Sequence, residues 1–543
     1  MIHQIFFSLI LILFVTGLGC QSKGNGNNEN NITDTIPPPD LSLPGGFSNQ
    51  QSLFFDSNAV HIFLQRYPKW HTHAQEIHRF YRARKYAFAW YDQQGLIEQA
   101  WNLYNKIENI GEEGVSVSLI YASELHKMMD DTAGIEHTRP DVLLDMMLTA
   151  QYFFYAKHIW TGLGTKGMQA IRWDLPRKKI SYESFLDSLL IAPSSEFLLH
   201  EPVYFQYKLL KEELKKYRKI AELGGWNQVT SLKKSLKRGD SSEIIPSVRR
   251  RLFKSGDIFE QNENKVFDES LDVAVRQFQH RHGLTEDGII GKSVVEAMNV
   301  SIKKRIEQII VNMERCRWLP VHLRNDYLII NIPEFRLHAF LNDSALWSMK
   351  VVVGKTIHET AIFNGNIKYV VFAPYWNVPE SILKNEILPA IAKNKKYIEQ
   401  NHMEWVGKTL RQKPGEWNAL GKVKFLFPNS HNIYLHDTPA KDLFRRDQRN
   451  FSHGCIRVEQ PKKLAQYLLR ENSEWTEKRI DSAMNGTKEL YVNLKKNCPV
   501  FIAYFTSWVD QVGKINFRND IYNKDARLIN MILDKEPEQN TSY

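Results

Sequence analysis

The sequence predicts a multidomain α+β chain, and three observations carry that prediction. At 543 residues the chain exceeds what one hydrophobic core supports. Helical periodicity with almost no strand alternation runs from about Ser52 to Trp226, and from Tyr327 the rhythm changes to short alternating apolar runs. A composition of 43% hydrophobic and 24% charged residues is that of a folded soluble protein rather than a disordered or polytopic membrane one. Net charge is +10, compatible with an anionic polymer as partner. Without a zinc finger, an RNA-binding signature or a long Lys/Arg block it argues against nucleic acid.

The N-terminus departs from this composition. From Ile5 to Leu18 the residues are nearly all apolar, too short a run to span a bilayer as a helix, and read as a secretion signal over residues 1–20. Its end, Gly17-Leu18-Gly19-Cys20, resembles a bacterial lipobox, which implies lipidation of Cys20 and a periplasmic, membrane-anchored protein of the cell envelope. No Lys or Arg precedes the run, and Gly17 stands where lipoproteins usually carry Leu. Residues 21–50, with Pro37-Pro38-Pro39, lack apolar content and are expected to be a tether.

The helical region, residues 51–236, carries aromatic pairs such as Phe80-Tyr81 and Trp90-Tyr91 but no constellation with a chemical reading. Its scattered His71, His73 and His78 suit surface or core positions better than metal ligation. A compact module at 240–300 follows. Leu271, Ala274, Val275 and Phe278 recur at helical spacing, with Asp268 as N-cap and Gly283 as stop, and a second short helix is expected from Ser293 to Met298. Ala274-Val275-Arg276-Gln277-Phe278-Gln279, His282-Gly283-Leu284 and Asp287-Gly288 resemble the peptidoglycan-binding domain, which implies a three-helix module that binds wall glycan.

Strands are expected at Leu328 to Ile330, Arg336 to Leu341, Trp347 to Val353, Ile367 to Phe372, Val423 to Phe427 and Ile433 to Leu435. A helical insert from Glu380 to Gln400 interrupts them. This is a mainly β domain over 325–500, its insert spanning about 380–420, followed by an extension at 501–543 that packs on its neighbours.

The four cysteines are widely spaced and form no C-x-x-C pair, so neither a zinc site nor a disulfide framework is indicated. Cys316 and Cys498 read as small buried residues. Cys455 differs. It lies in Ser452-His453-Gly454-Cys455-Ile456-Arg457, after Arg445, Arg446 and Arg449 and before a helical stretch at Pro461 to Leu469. Guanidinium charge and a helix N-terminus would lower its pKa from the usual ~8.5. A thiolate nucleophile also needs a base and oxyanion donors. His436, ending a strand before Asp437-Thr438-Pro439, and His453 both qualify as base, although His453, two residues from the sulfur, could instead donate on the oxyanion side.

His436, fifteen intervening residues and then Ser452-His453-Gly454-Cys455 with Arg457 resemble the signature of the YkuD-type L,D-transpeptidases. Arg411-Gln412, Asn418-Ala419-Leu420-Gly421, Phe427-Pro428-Asn429 and Tyr434 to Pro439 extend the likeness to the large members, which combine a scaffold, a peptidoglycan-binding module and a catalytic domain with a capping insert. The resemblance implies Cys455 as nucleophile, His436 as proton acceptor and donor, and His453 and Gly454 as oxyanion or positioning groups. Arg457, Ser452, Tyr434 and Trp376 fall on its substrate side. It also implies third-to-third crosslinking of peptidoglycan stem peptides through a thioester, with no metal or organic cofactor. Thr360-Ala361 stands where many members have Thr-Pro, a difference expected to touch a strand entry and not the chemistry. L,D-carboxypeptidase or protein-to-wall ligase activity at the same site, and a non-catalytic wall-binding lipoprotein, are the alternatives.

Overall fold

The computed structural model describes residues 53–130, 139–192, 201–230, 234–321, 326–342 and 344–533. These all fall in one compact unit, Pro44–Tyr543. The secretion signal, Cys20 and the tether lie outside the described residues. Among the described residues no helix is long and apolar enough to cross a membrane.

The helical N-terminal region is built from Asn58–Arg66, Ala74–Ala83, Glu98–Glu108, Ala122–Asp130, Val142–Tyr155, Gly164–Ala170, Tyr182–Ile191 and Gln206–Glu222. Val142–Tyr155 is its core helix. Asp141 caps it by accepting from the amides of Leu143 and Leu144, and it is buried from Leu144 to Tyr155. The alternation-poor sequence conceals three short strands: Tyr91–Asp92 and Gly95–Leu96 pair with each other, and Trp173–Asp174 pairs in parallel with Ile362 and Phe363 of the β domain. Two residues give no periodic signal, so only the tertiary pairing makes Trp173–Asp174 a strand.

The second module has helices Ile245–Lys254, Glu269–Arg281 and Lys292–Met298 around its own apolar cluster of Leu271, Ala274, Val275, Phe278 and neighbours. Asp268 caps the middle helix through the Leu271 amide, as its sequence position predicts, and Gly283 follows at φ +66. A helix that the sequence reading did not anticipate, Ile302–Trp318, then runs through the interior. Arg317 donates to the Ile159 carbonyl, Glu314 accepts from the Leu163 amide, and Asn312 exchanges hydrogen bonds with Thr506. One helix therefore joins the N-terminal region to the C-terminal extension.

The β domain is a closed ring of strands. In spatial order these are Val423–Leu426, Leu435–His436, Ile456–Val458, Ser344–Gly354, Arg336–Leu341, Asp326–Asn331, Leu490–Ala503 and Ile362–Phe372, the last pairing back to the first. Each expected strand has a counterpart, the one expected at Ile433 to Leu435 lying instead at Leu435–His436. Leu490–Ala503, unremarked in the sequence, is the long partner between Asp326–Asn331 and Ile362–Phe372. The helical insert also carries a three-stranded sheet of Trp376–Asn377, Met403–Val406 and Thr409–Gln412, and it has a small core of its own. Cys316 and Cys498 are buried and unpaired.

Candidate active site

The site is built on two short strands that pair in parallel, Leu435 with Ile456 and His436 with Arg457, while the Ile456 amide donates to the Tyr434 carbonyl at 3.1 Å. Side chains alternate along a strand, and laterally paired residues share a face. Tyr434, Cys455, His436 and Arg457 therefore occupy one face, Tyr434 beside Cys455 and His436 beside Arg457. The Tyr434 and His436 rings lie 5.7 Å apart between centroids.

The thiol of Cys455 is close to the Asn432 carbonyl at 3.7 Å and is hydrogen-bonded to Tyr434. Burial pushes the thiol pKa up, against the opposing pull of Tyr434 and of the Arg457 guanidinium. The expected lowering does not prevail. Desolvation outweighs the charge, and the helix at Pro461–Leu469 begins only after the intervening strand, beyond the first-turn reach of its dipole. His436 is 4% exposed, and burial, reinforced by Arg457, lowers its pKa to about 3. Its Nδ1 contacts the Asp437 carbonyl and must donate to it, which leaves Nε2 as the basic nitrogen. The resting pair is thus neutral thiol and neutral imidazole.

Asp437, in the sequence only the residue that follows the strand-ending His436, fixes this tautomer. Its carboxylate accepts from the amides of Lys422 at 2.9 Å and Thr438 at 2.7 Å and pairs with Lys441, so the carbonyl that holds His436 is itself held.

Ser452 and Gly454 shape the loop that carries Cys455. Ser452 Oγ donates to the Cys455 carbonyl at 2.6 Å and accepts from the Gly454 amide at 3.1 Å. Gly454 sits at φ +111, a conformation that favours glycine, although a Cβ there would meet nothing nearer than the Glu359 carbonyl at 3.9 Å. Thr360 Oγ1 donates to the Gly454 carbonyl at 2.8 Å. Thr360, the residue of this strand entry that matches the family, thus reaches the Cys455 loop through its hydroxyl. His453 extends to Glu386 of the insert, with Nε2 at 2.7 Å, and lies 5.1 Å from the His358 ring. Trp376 packs into the insert's apolar cluster. Arg457 is partly buried, and its Nε has no hydrogen-bond partner among the described residues.

Three segments match known families. Residues 75–214 match the family described as "Scaffold domain", 241–298 the "Putative peptidoglycan binding domain", and 325–502 the "L,D-transpeptidase catalytic domain". A "Putative L,D-transpeptidase" of Haemophilus influenzae is 30% identical over 243 residues, covering 41% of this chain and 49% of that protein. The chain thus spans about half the length of the curated relative it matches. Solved L,D-transpeptidases are similar at lower identity. One from Stackebrandtia nassauensis has 13% identity, covers 50% of this chain and 97% of that one, and has a TM-score of 0.24. One from Mycobacterium smegmatis has 14% identity, covers 33% and 58%, and has a TM-score of 0.19.

Proposed function

We propose, from the premise that this chain carries an L,D-transpeptidase catalytic domain together with scaffold and peptidoglycan-binding domains, that it crosslinks peptidoglycan stem peptides through a thioester on Cys455. The observation that carries this reading is the common face of Tyr434, His436, Cys455 and Arg457.

Because both partners rest neutral, the thiol proton passes to His436 Nε2 as sulfur attacks the carbonyl of the third, L-centred stem residue. The C–N bond to the terminal D-residue breaks, its amine leaves with the proton from His436, and the acyl group stays on sulfur. The side-chain amine of a neighbouring third residue then attacks the thioester, giving its proton to His436 and expelling the thiolate, which is reprotonated. Arg457, charged and with an unsatisfied Nε beside His436, suits a stem carboxylate. Loss of one oxyanion donor would cost roughly 3 kcal/mol of transition-state stabilisation.

Incubation with tetrapeptide-bearing muropeptides tests the reading. Wild type should yield crosslinked dimers and free D-amino acid by mass spectrometry, and Cys455→Ala neither; equal profiles from the two proteins would end it. The same spectra separate amine capture from hydrolysis. The domain limits proposed are 51–236, 240–300 and 325–500. A lipid on Cys20 belongs to this reading as the membrane anchor, and a radiolabelled fatty acid should mark the wild type but not Cys20→Ser.

A further inference from the structure

We propose that the C-terminal extension, through Tyr522 and then Thr360, aims the backbone N–H of Cys455 as an oxyanion donor. The inference rests on the cysteine-nucleophile reading above.

The hydrogen bonds run in one line. Tyr522 is 4% exposed, and its hydroxyl donates to the Gly354 carbonyl at 2.7 Å while accepting from the Thr360 amide at 3.3 Å. Thr360 is 1% exposed, and its hydroxyl accepts from the Gly354 amide at 2.9 Å and donates to the Gly454 carbonyl at 2.8 Å. The peptide joining Gly454 to Cys455 is planar, with its C=O and N–H pointing in opposite directions. A carbonyl tied down to Thr360 therefore turns the Cys455 N–H to the other side of the loop. The two other polar backbone groups of Gly454 and Cys455 are committed: the Gly454 amide to Ser452 Oγ, and the Cys455 carbonyl to the Ser452 hydroxyl. The Cys455 N–H has no acceptor among the described residues.

Tyr522 is itself held from several sides. Its amide donates to the Tyr504 hydroxyl at 2.9 Å, and the two rings stack at 5.7 Å. Thr356 donates to the Ile521 carbonyl at 3.3 Å, and Lys524 pairs with Glu359 at 2.9 Å, so the extension grips the 354–360 turn on both sides of Tyr522. A tyrosine and a threonine that touch no reacting atom thus act as positioning residues. Thr360 carries the effect directly, and Tyr522 carries it through Thr360.

The test compares two reactions of one sulfur in the full chain. Acylation by a β-lactam or a stem tetrapeptide passes through an oxyanion, whereas alkylation by iodoacetamide does not. In Thr360→Val, kcat should fall about 100-fold, on the scale set by a lost oxyanion donor. KM and the alkylation rate should stay as in wild type. Tyr522→Phe should fall about tenfold with the same split, because the hydroxyl's bonds to the Gly354 carbonyl and the Thr360 amide are lost while that of Thr360 to the Gly454 carbonyl remains. Thr360→Ser, which keeps the hydroxyl, should restore acylation. Wild-type kcat in Thr360→Val, or acylation and alkylation falling together in both variants, would overturn the proposal. A wild type that is alkylated at Cys455 but neither acylated nor active would instead overturn the enzymatic reading on which this one stands.

Discussion

The pKa shifts at His436 and Cys455 set the pH behaviour. An unfolded imidazole takes its proton near 6.5, whereas His436 does so only near 3 when folded. His436 therefore stays a competent base far into acid, and log(kcat/KM) should show no inflection near pH 6.5; an acidic limb in the usual histidine range would contradict the neutral pair. The sign for stability follows from the same shift. Between pH 6.5 and 3 the unfolded state binds the extra proton, so this group's contribution falls as pH falls, and a melting curve of His436→Asn should depend less on pH there. Gly454 gives a second residue-scale prediction. Its left-handed φ, and not lack of room, resists a side chain. Gly454→Ala should thus cost about 1–3 kcal/mol of strain, read as a lower denaturation midpoint together with slower acylation.

Among the elements, the insert is distinctive because its small core of Val378, Ile387, Met403 and Leu410 is separate from the main one. It meets the Cys455 loop through a contact of Glu386 with His453 Nε2 at 2.7 Å, the two side chains being 53% and 35% exposed. Such a contact orients more than it stabilises. Deleting side-chain volume inside the insert should loosen the insert alone. Leu410→Ala should cost about 2–5 kcal/mol locally, seen as faster hydrogen exchange over residues 376–412 while the central strands of the ring keep their protection. Uniformly faster exchange across the ring would show instead that the insert and the barrel form one cooperative unit.

Over the whole molecule, buried polar joints connect the parts. Arg281 of the second module binds Asp257 through two nitrogens and donates to the Ile515 carbonyl of the extension at 2.8 Å. Arg518 returns a bond to the Arg281 carbonyl, and Thr285 donates to Asp447, in the segment leading to the Cys455 loop. Both side chains of the Arg281–Asp257 pair are under 5% exposed. Arg281→Met would strand a buried carboxylate and should cost about 3–5 kcal/mol, measured by urea unfolding. The double variant with Asp257→Leu should recover much of that loss.

The sequence by itself determined the parts whose signal is local. Helical and strand periodicities marked the N-terminal region, the second module and most strands of the ring. The Asp268 cap was legible because a cap is written within a few residues. Cys455 and His436 were legible as candidates because the spacing between them is written in the chain. Only the tertiary structure decided the rest. Trp173–Asp174 is a strand because of its partner, and Asp437 matters because the Lys422 and Thr438 amides converge on it. Thr360 and Tyr522 act on a loop about ninety residues from one and seventy from the other. The direction of the Cys455 shift was also beyond the sequence: neighbouring charges can be read along a chain, whereas desolvation depends on what packs around the sulfur in space.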